Sequence, residues 1–162
     1  MPAVPAQPES ARPGADPQDV LRERARALRA SLKDPAVAPL KGRHVAIASA
    51  GHDTPSARRF ERAATALGAR VSHIGPESLV LDDTRLETTA RVLASLYDAV
   101  DFIPMPAERA EFLQRIAGVP VFADLGGEQS PLRALLTPTA DALESEAELV
   151  ALMEAVLVRA VG

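Results

Sequence analysis

The chain has 162 residues, 47% of them hydrophobic and 25% charged, which fits one soluble domain with a short appendage and excludes wholesale disorder. It has no cysteine, so disulfides, thiol nucleophiles and thiolate metal sites are ruled out; its three histidines (His44, His52, His73) are scattered. The net charge of −4 and an aromatic content of 3% argue against a basic or base-stacking nucleic-acid binder. The acidity is local. From Thr139 onward there are five acids (Asp141, Glu144, Glu146, Glu148, Glu154) against Arg159 alone, while the rest of the chain balances. No apolar stretch approaches the roughly 20 residues of a membrane span and the N-terminus lacks a signal-peptide layout, so the expected address is the cytoplasm, with neither membrane nor nucleic acid as partner.

Residues 1–16, Pro- and Ala-rich and without periodicity, read as a disordered tail. Asp16 as cap and Pro17 at the first helical position then open a helix. Its apolar face is Leu21, Ala25, Leu28 and Leu32, and its other face, with Arg22, Glu23, Arg26 and Arg29, is expected to be solvated. Asp34-Pro35 should end it. His44–Ser49 is an apolar run that predicts a strand. Thr54-Pro55 caps a second helix with Phe60, Ala63, Ala64 and Leu67 on its apolar face and Gly68 past its end. Arg70–Ile74 predicts a second strand, stopped by Gly75-Pro76. Thr84 with Glu87 reads as a capping box before a helix marked by Leu86, Ala90, Leu93 and Tyr97.

Ala99–Ile103 predicts a third strand, a helix runs from about Ala107 to Gly118, and Val119–Phe122 predicts a fourth strand. Pro120 removes a ladder donor and places that strand at an edge. A short helix starts near Pro131. A last one, about Asp141 to Val161, presents Leu149, Leu152, Met153, Val156 and Val161 on one face. Strands alternating with helices imply βαβ crossovers: an α/β three-layer sandwich with a four-stranded, mainly parallel sheet and helices on both faces.

Ligands of such sheets bind beyond the carboxyl ends of the strands, which draws attention to residues 50–56, 75–83, 103–106 and 123–131. The first of these runs into a helix N-terminus, a natural anion site, yet Asp53 places a negative charge there and no Lys or Arg lies between Gly51 and Ala57. His44 and His73 lie on strands and read as packing residues. His52 has no triad around it, and Asp82-Asp83 reads as helix capping rather than a metal pair. Neither cofactor nor metal is expected.

Several segments carry a family resemblance. Leu40-Lys-Gly-Arg-His-Val-Ala-Ile47, the Phe60-Glu61…Leu67-Gly68 helix, Thr89–Leu93 followed by Asp98-Ala-Val100, and Gly118-Val-Pro-Val121 together resemble the N-terminal, carbamoyl-phosphate-binding domain of aspartate and ornithine carbamoyltransferases. The resemblance spans roughly Leu21 to Leu136. It implies residues 17–138 as that domain and 139–162 as an acidic C-terminal helix packing back on it. It further implies that a second domain has been deleted internally and the family's closing helix kept.

The same resemblance points to the site residues and shows them altered. Where the family has S-T-R-T-R, this chain reads Asp53-Thr54-Pro55-Ser56-Ala57, so both arginines are gone, and Arg58 stands further along the helix with Arg59. Where the family has G-E-[ST], it reads Asp83-Thr84-Arg85, and the arginine expected after the third strand falls near Ile103. The H-P-x-Q motif, whose histidine polarises the carbamoyl carbonyl, appears as Ser130-Pro131-Leu132-Arg133. Thus Asp53, Thr54, Ser56 and Arg58 stand for the phosphate loop, Ser130, Pro131 and Arg133 for the second motif, and no catalytic residue is assigned. The implied function is a carbamoyltransferase-like module without transferase activity of its own, binding a second copy of itself (a trimer by family analogy) or a full-length carbamoyltransferase. The alternatives are a phosphate or small-anion metabolite-binding protein, or a transferase acting on an amino acid and completed by a second subunit.

Overall fold

The computed structural model describes residues 14–51, 53–75 and 85–162. The expected tail up to residue 13, His52, and the segment 76–84 with Asp82, Asp83 and Thr84 lie outside the described residues. The elements, in order, are α1 (Pro17–Ser31), β1 (His44–Ser49), α2 (Pro55–Ala66), β2 (Arg70–Ile74), α3 (Leu86–Leu96), β3 (Ala99–Ile103), α4 (Ala107–Ala117) and β4 (Val121–Ala123). A 3-10 helix (Pro131–Leu135) and α5 (Ala142–Val161) complete the chain.

Among the described residues every strand pair is parallel and the order is β2-β1-β3-β4. The α/β sandwich is therefore present with all four strands aligned. β4 begins two residues later than the sequence predicts and lies at an edge, where Pro120 serves through its carbonyl, accepting the Val100 N–H at 3.0 Å. The helix starts follow local chemistry. Asp16 accepts the Gln18 N–H at 2.9 Å, and Thr54 Oγ1 accepts the Ala57 N–H at 3.2 Å ahead of Pro55. Gly68 ends α2 with φ +87°, and a Cβ there would lie 2.8 Å from the Cβ of Ala38, so both backbone and space demand glycine. The capping-box expectation for α3 rests on Thr84, which lies outside the described residues; the helix begins at Leu86, and Glu87 pairs with Arg91 at 2.6 Å.

The alternation of β1 divides the core. Val45 and Ile47 face α2, α5 and α1, whereas Ala46 and Ala48 face α3 and α4. The small alanines let the α3–α4 layer approach closely. On the other side Phe60, Leu67, Leu149, Leu152, Met153 and Leu157 are buried almost completely.

Helix α5 is buried over more of its circumference than a one-sided apolar stripe, because α1 packs on one flank and α2 on another. The burial includes Glu154, 2% exposed, with Oε2 3.0 Å from Arg29 Nε in α1. The expectation of a solvated basic face on α1 is accordingly corrected at two positions. Arg29 turns inward to Glu154, and Arg22 Nε donates to the Leu135 carbonyl at 3.0 Å. Both side chains bridge elements that the apolar stripe alone would leave loosely held. Burial raises the Glu154 carboxyl above its ordinary range, opposed by the nearby Arg29 charge. No described helix is long and apolar enough to cross a membrane.

Candidate functional site at the carboxyl edge of the sheet

With strand order 2-1-3-4, the direction of winding reverses between β1 and β3, and the crevice of such a sheet opens there, beyond the strand ends. Three segments converge on it. Ala50 and Gly51 leave β1 and Asp53 and Thr54 lead into α2, Pro104 follows β3 through a cis peptide bond, and residues 124–130 leave β4.

Ser49 at the end of β1 is buried and donates its hydroxyl proton to the Gly51 carbonyl at 2.5 Å. Thr54 and Pro55 start α2, and the next residue, Ser56, turns inward, 8% exposed, its Oγ donating to the Asp124 carboxylate. Asp124 follows β4 in a left-handed backbone conformation (φ +54°) that folds the chain back over the crevice. The Gly127 N–H donates to its carbonyl at 2.9 Å, and a Cβ on Gly127 would overlap the Asp124 carboxylate. The floor is Asp101 of β3, fully buried, with Oδ1 accepting the Leu125 N–H at 3.1 Å and Oδ2 at 3.3 Å. Burial pushes its carboxyl up to about 8; the Leu125 N–H opposes the rise and the Asp124 charge adds to it.

The cations near this crevice are held elsewhere. Arg59 is only 16% exposed; its Nη1 donates to the Gly126 carbonyl at 2.9 Å, and its Nε lies 2.7 and 3.0 Å from the two carboxylate oxygens of Glu146. Arg133 donates from Nε to the Gly127 carbonyl and from Nη2 to Glu128, both at 2.8 Å. Two guanidinium groups thus fasten the 126–128 backbone rather than face a ligand.

The residues expected from the sequence meet here only in part. Ser56, from the first motif, does come together with the loop that precedes Ser130, Pro131 and Arg133. Ser130 is buried and its Oγ accepts the Leu132 N–H at 3.3 Å, capping the 3-10 helix whose first residue is the exposed Pro131. Thr54 is occupied as the α2 cap. Asp53 stands out at the rim, 87% exposed, where Arg58 reaches back to it at 3.3 Å. The sequence reading passed over Asp101 and Asp124. A signal for the first was present: one acid at the centre of the otherwise apolar Ala99-Val-Asp-Phe-Ile103 strand. Nothing in the sequence pairs Asp124 with Ser56, which lies 68 residues away.

Chemically, the arrangement offers a buried carboxyl that stays protonated at neutral pH, a second carboxylate bound to a serine hydroxyl, and hydroxyls already engaged with the backbone. Among the described residues no cluster of three His, Asp or Glu side chains is placed to hold a metal ion. His44 and His73 lie away from the crevice: His44 Nε2 is 2.7 Å from Ser72 Oγ with its ring against Tyr97, and His73 Nε2 is 3.4 Å from Glu61.

No protein-family model matches the chain. It is 36% identical over 97 residues to a catabolic ornithine carbamoyltransferase of Pseudomonas putida, covering 59% of this chain and 29% of that enzyme. To the corresponding enzyme of Malacoplasma penetrans it is 33% identical over 98 residues, covering 60% and 29%. Among solved structures, ornithine carbamoyltransferase from Pyrococcus furiosus superposes with a TM-score of 0.60 at 24% identity, over 73% of this chain and 38% of that one. The Campylobacter jejuni anabolic enzyme gives 0.56 at 24% identity, over 73% and 38%. The chain therefore spans less than a third of the length of the curated relatives it matches. By sequence over this segment, and by a fully parallel four-stranded sheet that superposes on theirs, the chain carries an ornithine carbamoyltransferase-like α/β domain.

Proposed function

We propose that this domain does not transfer carbamoyl groups by itself and acts by associating with another chain, either a second copy or a full-length carbamoyltransferase. One observation carries the first half. At the strand ends the hydroxyls and guanidiniums are satisfied internally, while the Asp124 carboxylate lies in the crevice and Asp53 stands at its rim. A carboxylate about 4 Å from a dianion repels it by about 8 kcal/mol at an effective dielectric near 20. A charge-assisted hydrogen bond returns only about 1.5–3 kcal/mol. The crevice therefore repels carbamoyl phosphate unless a partner brings cations to it.

The second half draws support from the α3–α4 layer, which exposes Val92, Leu96 and Phe112, with Val92, Leu96, Ile74 and Tyr97 lining a groove of about 320 Å³. The burial of Leu149, Leu152 and Met153 against α1 and α2 supports α5 as a retained closing helix. In this reading the module works in the cytoplasm beside its partner. The test is direct. Purified protein is incubated with carbamoyl phosphate and either ornithine or aspartate, and its mass in solution is measured in parallel. No citrulline or carbamoyl-aspartate above the uncatalysed level is expected, together with a mass above the 17.1 kDa monomer or co-elution with a carbamoyltransferase. Enzymatic product from this chain alone overturns the reading.

A further inference from the structure

A groove of about 370 Å³ lies on the outer flank of α2 where it meets α5, lined by Pro55, Arg58, Arg59, Arg62 and Glu146. Its lining residues lie on α2 and α5 and include none of Ser49, Ser56, Asp101 and Asp124 of the crevice. Residues 55, 58, 59 and 62 fall on one side of the helix at the three- and four-residue spacings that bring side chains together. Arg59 and Glu146 neutralise each other through the paired contacts at 2.7 and 3.0 Å, which fixes the wall of the groove and engages the one acid among its described lining residues.

Arg58 and Arg62 remain, one turn apart and exposed. Like charges at this spacing repel, so folding brings together two cations that a shared anion would relieve. Arg58 has one competing partner, Asp53 at 3.3 Å. With the two side chains 60% and 87% exposed, that ion pair is weak and readily displaced. Glu154 lies behind the groove, buried and engaged with Arg29, and contributes to the field at Arg62.

Beyond the proposed non-transferring role, we propose that this groove binds a phosphate monoester, its dianionic phosphoryl group shared by the guanidinium forks of Arg58 and Arg62. Planar guanidinium groups match phosphate oxygens in paired hydrogen bonds, and two forks a helical turn apart can reach one tetrahedral group once Arg58 leaves Asp53. The groove leaves room beside the phosphoryl group for an organic substituent.

The experiment is calorimetric titration with inorganic phosphate and with phenyl phosphate, the two arms separating a free-phosphate site from a monoester site. Saturable one-to-one binding is expected, tighter for the ester. Arg58→Ala and Arg62→Ala should each weaken it about tenfold or more. Asp53→Asn, which frees Arg58, should tighten it a few-fold, a gain that a merely structural role for Arg58 does not predict. Unaltered thermal melting of the arginine variants shows that the exposed substitutions leave the fold intact. Absence of saturable binding, or binding indifferent to both arginines, overturns the proposal. None of these outcomes depends on whether the chain transfers carbamoyl groups.

Discussion

Asp101→Asn should stabilise the protein at neutral pH and destabilise it in acid. Asp101 is fully buried on β3, and its carboxyl is pushed from an ordinary 3.8 up to about 8. Between those two values the folded chain holds a proton that the unfolded chain releases. Stability from this residue is therefore complete below pH 4 and declines as pH rises, at about 1.4 kcal/mol per pH unit. The full decline amounts to about 6 kcal/mol, of which about 4 kcal/mol is in force at pH 7. Asparagine does not titrate, and its carbonyl can continue to accept the Leu125 N–H that Asp101 now accepts at 3.1 Å. Its buried amide hydrogens then cost about 1–3 kcal/mol if unpaired. The variant should exceed the wild type by about 1–3 kcal/mol at pH 7 and fall below it by a similar amount at pH 4. Urea unfolding of both proteins at half-unit steps from pH 4 to pH 8 measures the difference. A difference that does not change with pH would refute the assignment of a protonated buried acid.

Arg29→Ala should cost about 3 kcal/mol at pH 7, because Glu154 is left as an unpaired buried charge. The loss should shrink in acid as Glu154 takes up a proton, and melting at pH 7 and pH 4 checks both points. Ser56→Ala removes the hydroxyl that donates to Asp124 and should cost about 1–3 kcal/mol, read from the shift in denaturant midpoint. Gly68→Ala places a side chain at φ +87° and against Ala38, and should cost about 2 kcal/mol in the same assay. Leu152→Ala, in the buried α5, should cost about 2–5 kcal/mol, whereas an independent α5 would make the substitution nearly silent.

Much of the scaffold could be read from local chemistry. Thr54-Pro55, Gly68 and Gly118 mark helix ends that need no tertiary partner, and the runs His44–Ser49 and Ala99–Ile103 match β1 and β3 at both ends. The failures fall where a distant partner decides. Arg22 and Arg29 sit on a polar helix face and look solvated until α5 and the 3-10 helix cover them. Glu154 interrupts an apolar helix for the same reason, since α1 supplies its partner. At the candidate site the missing arginines of the first motif and the serine at the second were visible in the sequence. What replaced them was not. The Ser56–Asp124 bond, the anchoring of Arg59 on Gly126 and Glu146, and the protonated Asp101 depend on three loops meeting at one edge of the sheet.

The central claim is that the crevice beyond the strands cannot hold carbamoyl phosphate. The amide resonances of Ser49, Leu125 and Ser130 report on that crevice, and none of the three belongs to a peptide group bonded by the arginines of the α2 groove. Titrating 15N-labelled protein with fresh carbamoyl phosphate should leave these three signals in place up to millimolar ligand. Saturable, concerted shifts of the three would contradict the account, because they require the dianion to settle beside the Asp124 carboxylate.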